Sequence, residues 1–115
     1  MTANPGTIAL HVLYPRDETS TFDMEYYLST HMALAEKAWK EHGLLTYNVT
    51  EAPDPKSPYS VVTFLTWEAR GENGMDGVKA GFASELSKAL TEDVPNFSNR
   101  TPAVVVGQVK ASNSV

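Results

Sequence analysis

Four short runs rich in β-branched and apolar residues bracket two stretches whose apolar side chains recur at helical spacing. Their order, strand-helix-strand-strand-helix-strand, allows few folds. Thr7 to Tyr14 (TIALHVLY) reads as the first strand and stops at Pro15. The first helix begins at Asp23, whose carboxylate suits the N-cap position. Glu25 places a negative charge near the positive helix end, and Phe22 with Tyr27 fits a hydrophobic staple. Met24, Tyr27, Leu28, His31, Ala35, Ala38 and Trp39 follow at steps of three and four, which predicts one inward stripe. The helix ends at His42, with Gly43 in the left-handed position beyond it.

Leu44 to Thr50 (LLTYNVT) and Tyr59 to Trp67 (YSVVTFLTW) read as strands two and three, joined by the proline-rich loop EAPDPKSP. After the turn-rich EARGENG, Met75 to Leu90 reads as one helix with Met75, Val78, Phe82, Leu86 and Leu90 on one face. TEDVPNFSNR is a structured loop, and Ala103 to Val109 (AVVVGQV) is the fourth strand. The first six residues and the tail KASNSV read as loose ends. The predicted class is α+β: a ferredoxin-like β-α-β-β-α-β unit, an antiparallel four-stranded sheet with two helices on one face.

That arrangement leaves the second sheet face to explain. Each strand has one cleaner apolar face and one that mixes apolar residues with a few polar groups. These are His11 on the first strand, Thr46 and Asn48 on the second, Thr63 on one side of the third with Ser60 and Thr66 on the other, and Gln108 on the fourth. A solvated face would carry more Lys and Glu. The face is therefore expected to be covered, most simply by a second copy of the same sheet. Two facing sheets would enclose a mostly apolar cavity suited to a small organic ligand. A length of 115 residues predicts a single domain over 1–115, short enough to borrow stability from a partner subunit.

The net charge of −5 and a pI near 5.0, without any basic cluster, exclude nucleic acid and anionic membrane surfaces as expected partners. No stretch approaches the roughly 20 apolar residues that span a bilayer. Cysteine is absent, which excludes disulfides and thiolate metal sites and suits a reducing compartment. MTANPGT has no signal-peptide pattern, so a cytoplasmic location is expected. Three isolated histidines at 11, 31 and 42 lack the spacing of a zinc site, and neither a phosphate-binding glycine loop nor a nucleophile elbow occurs. No metal or cofactor is expected.

His31 is the residue most able to carry chemistry, because an imidazole gives and takes protons near neutral pH. Tyr27, one turn earlier, shares its face. Burial would keep the imidazole neutral, the form a general base needs. The competing reading is a core histidine satisfied by a backbone carbonyl or hydroxyl. Tyr14 ends the first strand, and its phenol, like that of Tyr47, suits orientation of a substrate oxygen. His11 enters the cavity if the Ile8-Leu10-Val12 face meets the helices; the sequence leaves that choice open. Asn48 and Gln108 are candidates for binding carbonyls, and Phe64, Trp67 and Phe82 complete the substrate-binding set.

VLYP at 12–15, FDMEYYLSTHMAL at 22–34 and VPNF at 94–97 resemble the EthD family of the dimeric α+β barrel superfamily. The family pattern is a strand ending in Leu-Tyr-Pro, then Phe-Asp-x-x-Tyr-Tyr-x-x-x-His. Ala33 stands where the family commonly has proline. The resemblance implies a homodimer with facing sheets and covers nearly the whole chain. Relatives are associated with cofactor-free decarboxylation, dehydration, cyclisation or isomerisation of polyketide-like and lactone substrates. The expected function is therefore a cofactor-independent lyase or isomerase acting on an aromatic or polyketide-like molecule. His31 would be the acid/base, with Tyr27 and Tyr14 beside it. The alternatives are a cofactor-independent monooxygenase of a phenolic substrate, a non-catalytic ligand-binding dimer, and a haem-binding variant.

Overall fold

A computed structural model describes residues 6–115; residues 1–5, read above as part of a loose end, lie outside the described residues. Four strands, β1 (Ile8–Pro15), β2 (Leu44–Glu51), β3 (Tyr59–Trp67) and β4 (Ala103–Gln108), form one sheet in the order β2-β3-β1-β4. All three pairings are antiparallel. This is the α+β, ferredoxin-like arrangement the sequence predicts. The edge of the fold continues past β4, where Val109 N–H donates to the Thr7 carbonyl and Gly6 N–H donates to Val109.

Strand alternation and register sort the side chains into two faces. Ile8, Leu10 and Tyr14 of β1 are buried beneath the helices, together with Val61, Thr63, Leu65 and Trp67 of β3. The face left open by the sequence is thereby decided. Ala9, His11 and Leu13 point to the opposite, open side, alongside Val62, Phe64 and Thr66 of β3 and Thr46 and Asn48 of β2. Across the open face, the Thr46 and Thr66 hydroxyls hydrogen-bond each other.

The first helical region is not one regular helix. It comprises α1 (Met24–Tyr26), a π-helical segment (Tyr27–His31), α2 (Met32–Trp39) and a 3₁₀ turn (Lys40–His42). Asp23 caps it as expected, its carboxylate accepting from Tyr26 N–H at 3.1 Å. Phe22 packs against Tyr27 with ring centroids 5.0 Å apart, consistent with the staple. Gly43 closes the region at φ 114°, a left-handed conformation that costs glycine little. In the wide π turn Met32 N–H reaches back five residues to the Tyr27 carbonyl. The extra residue turns Leu28 outward, to 50% exposure, while Tyr27 and His31 stay buried. Leu28 thus leaves the predicted inward stripe. π segments of this kind recur at functional sites.

The second helix is broken. α3 (Asp76–Ala83) and α4 (Glu85–Asp93) meet at Ser84, whose backbone is extended and whose Oγ caps α4 by accepting from Ser87 N–H. The break resets the helical phase: Leu90 and Ser87 are buried, whereas Phe82 and Leu86 are 42% and 37% exposed. The single apolar face predicted from Met75 to Leu90 is therefore split. α4 also takes in Thr91–Asp93, which the sequence reading assigned to a loop, and a 3₁₀ turn (Val94–Asn96) follows. Gly77 lets α3 approach the 3₁₀ turn, since a Cβ there would lie 2.4 Å from the His42 carbonyl oxygen. The same oxygen accepts from Trp67 Nε1 at 2.8 Å. Among the described residues, no helix is long and apolar enough to cross a membrane.

Candidate active site

A cavity of about 190 Å³ lies between the helices and the sheet. Its walls are largely apolar, from Val12, Leu65, Met32, Trp39, Phe82 and Leu90, and Val104 and Pro102 line it beside β4. Val104 is 48% exposed, so the helical layer leaves this side open. The cavity is on the helical side of the sheet, not on the open face where facing sheets were expected to enclose it.

His31, in the π segment, enters this cavity. Its Nδ1 lies 2.9 Å from Asp93 Oδ2, at the end of α4. Asp93 is held in turn: its Oδ1 accepts from the Tyr26 hydroxyl at 2.6 Å and from Asn96 Nδ2 at 2.9 Å. A carboxylate only accepts, so Nδ1 carries the proton when the imidazole is neutral. Nε2 is then left as a lone pair, with no protein hydrogen bond among the described residues. Phe97 packs on the ring at 4.5 Å between centroids, and Tyr27 stacks at 5.2 Å.

Two influences oppose each other at His31. Burial pushes its pKa below the ordinary histidine value and outweighs the hydrogen bond and negative charge of Asp93, which favour the cation. The imidazole is therefore held neutral while its conjugate acid has a counter-ion ready. For Asp93, burial acts upward, but donation from Tyr26, Asn96 and His31 prevails and its pKa is lowered.

Next to His31, the Tyr27 hydroxyl and Thr63 Oγ1 hydrogen-bond at 2.6 Å. Tyr14 meets Tyr27 edge to face, with centroids 5.6 Å apart. Burial is the main cause that raises both phenol pKa values above the ordinary tyrosine value, so both remain hydrogen-bond donors at physiological pH. The Trp39 indole Nε1 is buried at the cavity wall without a hydrogen-bond partner among the described residues.

Of the residues singled out from sequence, the cavity brings together His31, Tyr27, Tyr14 and Phe82. It does not include the others. His11 packs against Phe64 on the open face, with ring centroids 4.9 Å apart and the planes tilted by 47°, and Asn48 pairs with Phe64 in register. His11 and His31 are therefore on opposite sides of the sheet and cannot serve one cavity in one chain. The Tyr47 hydroxyl donates to Glu36 at 2.7 Å, away from the cavity. Trp67 is fully buried in the core under α3. Gln108 pairs with Ile8, at the end of β1 opposite Tyr14, and accepts from Lys110 Nζ.

Sequence reasoning missed Asp93, Thr63, Ser87 and Trp39 as cavity or support groups. Asp93 directly precedes VPNF, one of the segments that carry the family resemblance. A search there for a carboxylate to orient the histidine would have found it. Among the described residues, no group of three or more His, Asp or Glu side chains is placed to hold a metal ion.

No protein-family model and no curated protein matches the sequence. Solved structures do match over nearly the whole chain. An EthD-like protein from Ralstonia eutropha JMP134 superposes with a TM-score of 0.75 at 18% identity, covering 94% of this chain and 96% of that one. An ethyl tert-butyl ether D (EthD) family protein from Bacillus halodurans C-125 gives 0.65 at 20% identity, covering 90% and 98%. SnoaB, a cofactor-independent oxygenase from Streptomyces nogalater, gives 0.63 at 10% identity, covering 92% and 95%. The strand order, the two helical regions and these full-length superpositions together show that the chain has the EthD-family fold.

Proposed function

We propose that this chain is a cofactor-free lyase or isomerase acting on a small aromatic or polyketide-like molecule, with His31 as the general acid/base. The observation that carries the reading is the His31–Asp93 pair: Nδ1 is anchored at 2.9 Å and Nε2 is free beside an apolar cavity. Nε2 takes a proton from a phenol or from a carbon next to a carbonyl. Asp93 then stabilises the imidazolium, acting as a positioning residue. The protonated Tyr27 and Tyr14 hydroxyls meet the developing enolate oxygen, and the proton returns to the new site or to a leaving hydroxyl. General acid/base catalysis by one group contributes about 10²–10⁴-fold.

The active form in this reading is a homodimer. The open sheet face carries His11, Leu13, Val62, Phe64 and Val105, and among its strand positions there is no Lys, Arg, Asp or Glu. An uncharged sheet face of this breadth suits burial against a second copy.

The test begins by releasing bound small molecules from the purified protein by denaturation and identifying them by mass spectrometry. The compound found is then offered to the wild type and to His31→Ala. Loss of most turnover in a folded variant is expected, and normal turnover by His31→Ala overturns the assignment. A second reading, oxygenation of a phenolic substrate without a cofactor, is favoured by the superposition on SnoaB. Oxygen uptake matched to product formation would select it over the lyase or isomerase.

A further inference from the structure

The polar groups of the cavity fall into two sets. Tyr27 and Thr63 satisfy each other, and His31 is anchored by Asp93. Ser87, on the α4 wall, differs. It is only 7% exposed, its N–H donates to Ser84 Oγ and its carbonyl accepts from Thr91 Oγ1, yet its own hydroxyl has no protein partner among the described residues. That hydroxyl is therefore free to hydrogen-bond a ligand in the cavity it lines. The Trp39 Nε1–H, on the same cavity, is a buried donor without a partner among the described residues, and leaving such a group unpaired is costly.

Charge and size narrow what those donors await. Among the described residues no Lys or Arg lines the cavity, and Asp93, which holds His31, is negative. An anionic ligand would enter without a counter-charge, which an apolar site resists. A dry cavity of about 150 Å³ holds benzene, so about 190 Å³ suits one ring with small substituents. Ser87 and Asp93 lie six positions apart on α4, about 9 Å along the helix. His31, anchored on Asp93, and Ser87 both line this cavity.

Resting on the function proposed above, we infer that Ser87 is a substrate-anchoring residue. The ligand is then a neutral single-ring phenol or enol bearing a carbonyl at its far end, with its acidic hydroxyl at His31 and its carbonyl accepting from Ser87.

Calorimetric titration with para-cresol, para-hydroxyacetophenone and para-hydroxybenzoate tests this on the wild type and Ser87→Ala. The wild type is expected to bind the ketone roughly three- to tenfold more tightly than para-cresol, the effect of one added hydrogen bond, and the benzoate most weakly. Ser87→Ala should erase the ketone's advantage and leave para-cresol affinity unchanged, which also shows that the cavity is intact. A ketone advantage that survives in Ser87→Ala, an equal loss for para-cresol, or tightest binding of the benzoate overturns the inference while leaving the His31 assignment standing. Absence of binding by both neutral phenols to the wild type overturns it together with the reading of the cavity as a phenol site.

Discussion

Asp93 Oδ2 lies 2.9 Å from His31 Nδ1 across 62 positions of sequence, and this contact ties the π segment to the end of α4. In the proposed reading it makes His31 an oriented base rather than a packed ring. Asp93→Asn keeps the size but lets the amide donate to Nδ1, which favours the opposite tautomer and moves the proton to Nε2. The variant is expected to fold and to lose at least tenfold in turnover of whatever compound the wild type converts. Long-range ¹H–¹⁵N spectra of the imidazole should show the tautomer switch.

The same pair sets an acid dependence of stability. His31 has its folded pKa below the ordinary value of about 6.5, so between the two values the unfolded chain binds more protons. Stability is then full above about pH 6.5 and falls as pH drops toward the folded value. Asp93, also lowered, adds its loss only below the ordinary carboxylate range. Melting temperatures should therefore decline as pH is taken from 7 to 5, and His31→Gln should flatten that decline. Equal slopes in the two proteins would contradict the account.

Tyr27→Phe removes a buried bond to Thr63 and leaves the Thr63 hydroxyl without that partner. A cost of about 1–3 kcal/mol is expected. Adding Thr63→Val should recover part of it, because both polar groups are then gone. Urea unfolding of the two single variants and the double variant measures the coupling.

Gly77→Ala forces a methyl against the His42 carbonyl oxygen that Trp67 also uses. Backbone on both sides leaves little room to yield, so a loss of about 1–3 kcal/mol is expected. Denaturant midpoints check it, and a neutral substitution would mean that α3 is not held as close as described.

On the open face, Phe64→Lys places a charge beside His11 without touching the cavity. Native mass spectrometry should show the wild type at twice the 12.6 kDa chain mass and the variant at the chain mass. A wild-type protein that stays at the chain mass contradicts the proposed dimer.

What was legible in the sequence follows from which interactions are local. The β-branched and apolar runs TIALHVLY and YSVVTFLTW and the caps at Asp23 and Gly43 depend on near neighbours, and they appear where expected. The shared direction of Tyr27 and His31 was also readable from spacing, although the π turn that displaces Leu28 was not. The break at Ser84 escaped notice because a serine both continues a helix and caps one, and tertiary packing makes the choice. The side of the sheet that His11 occupies, and the partnership of His31 with Asp93, depend on long-range packing that no local pattern encodes.

The central claim is that His31 is a neutral, Asp93-anchored base whose Nε2 faces the ligand. Long-range ¹H–¹⁵N spectra of histidine-labelled protein, assigned with His31→Ala and titrated with para-cresol, test it most directly. The account predicts a proton on Nδ1, an apparent pKa below about 6.5, and an Nε2 resonance that moves as para-cresol saturates the cavity. A proton on Nε2 at neutral pH, or an Nε2 resonance indifferent to the saturating phenol, would contradict it.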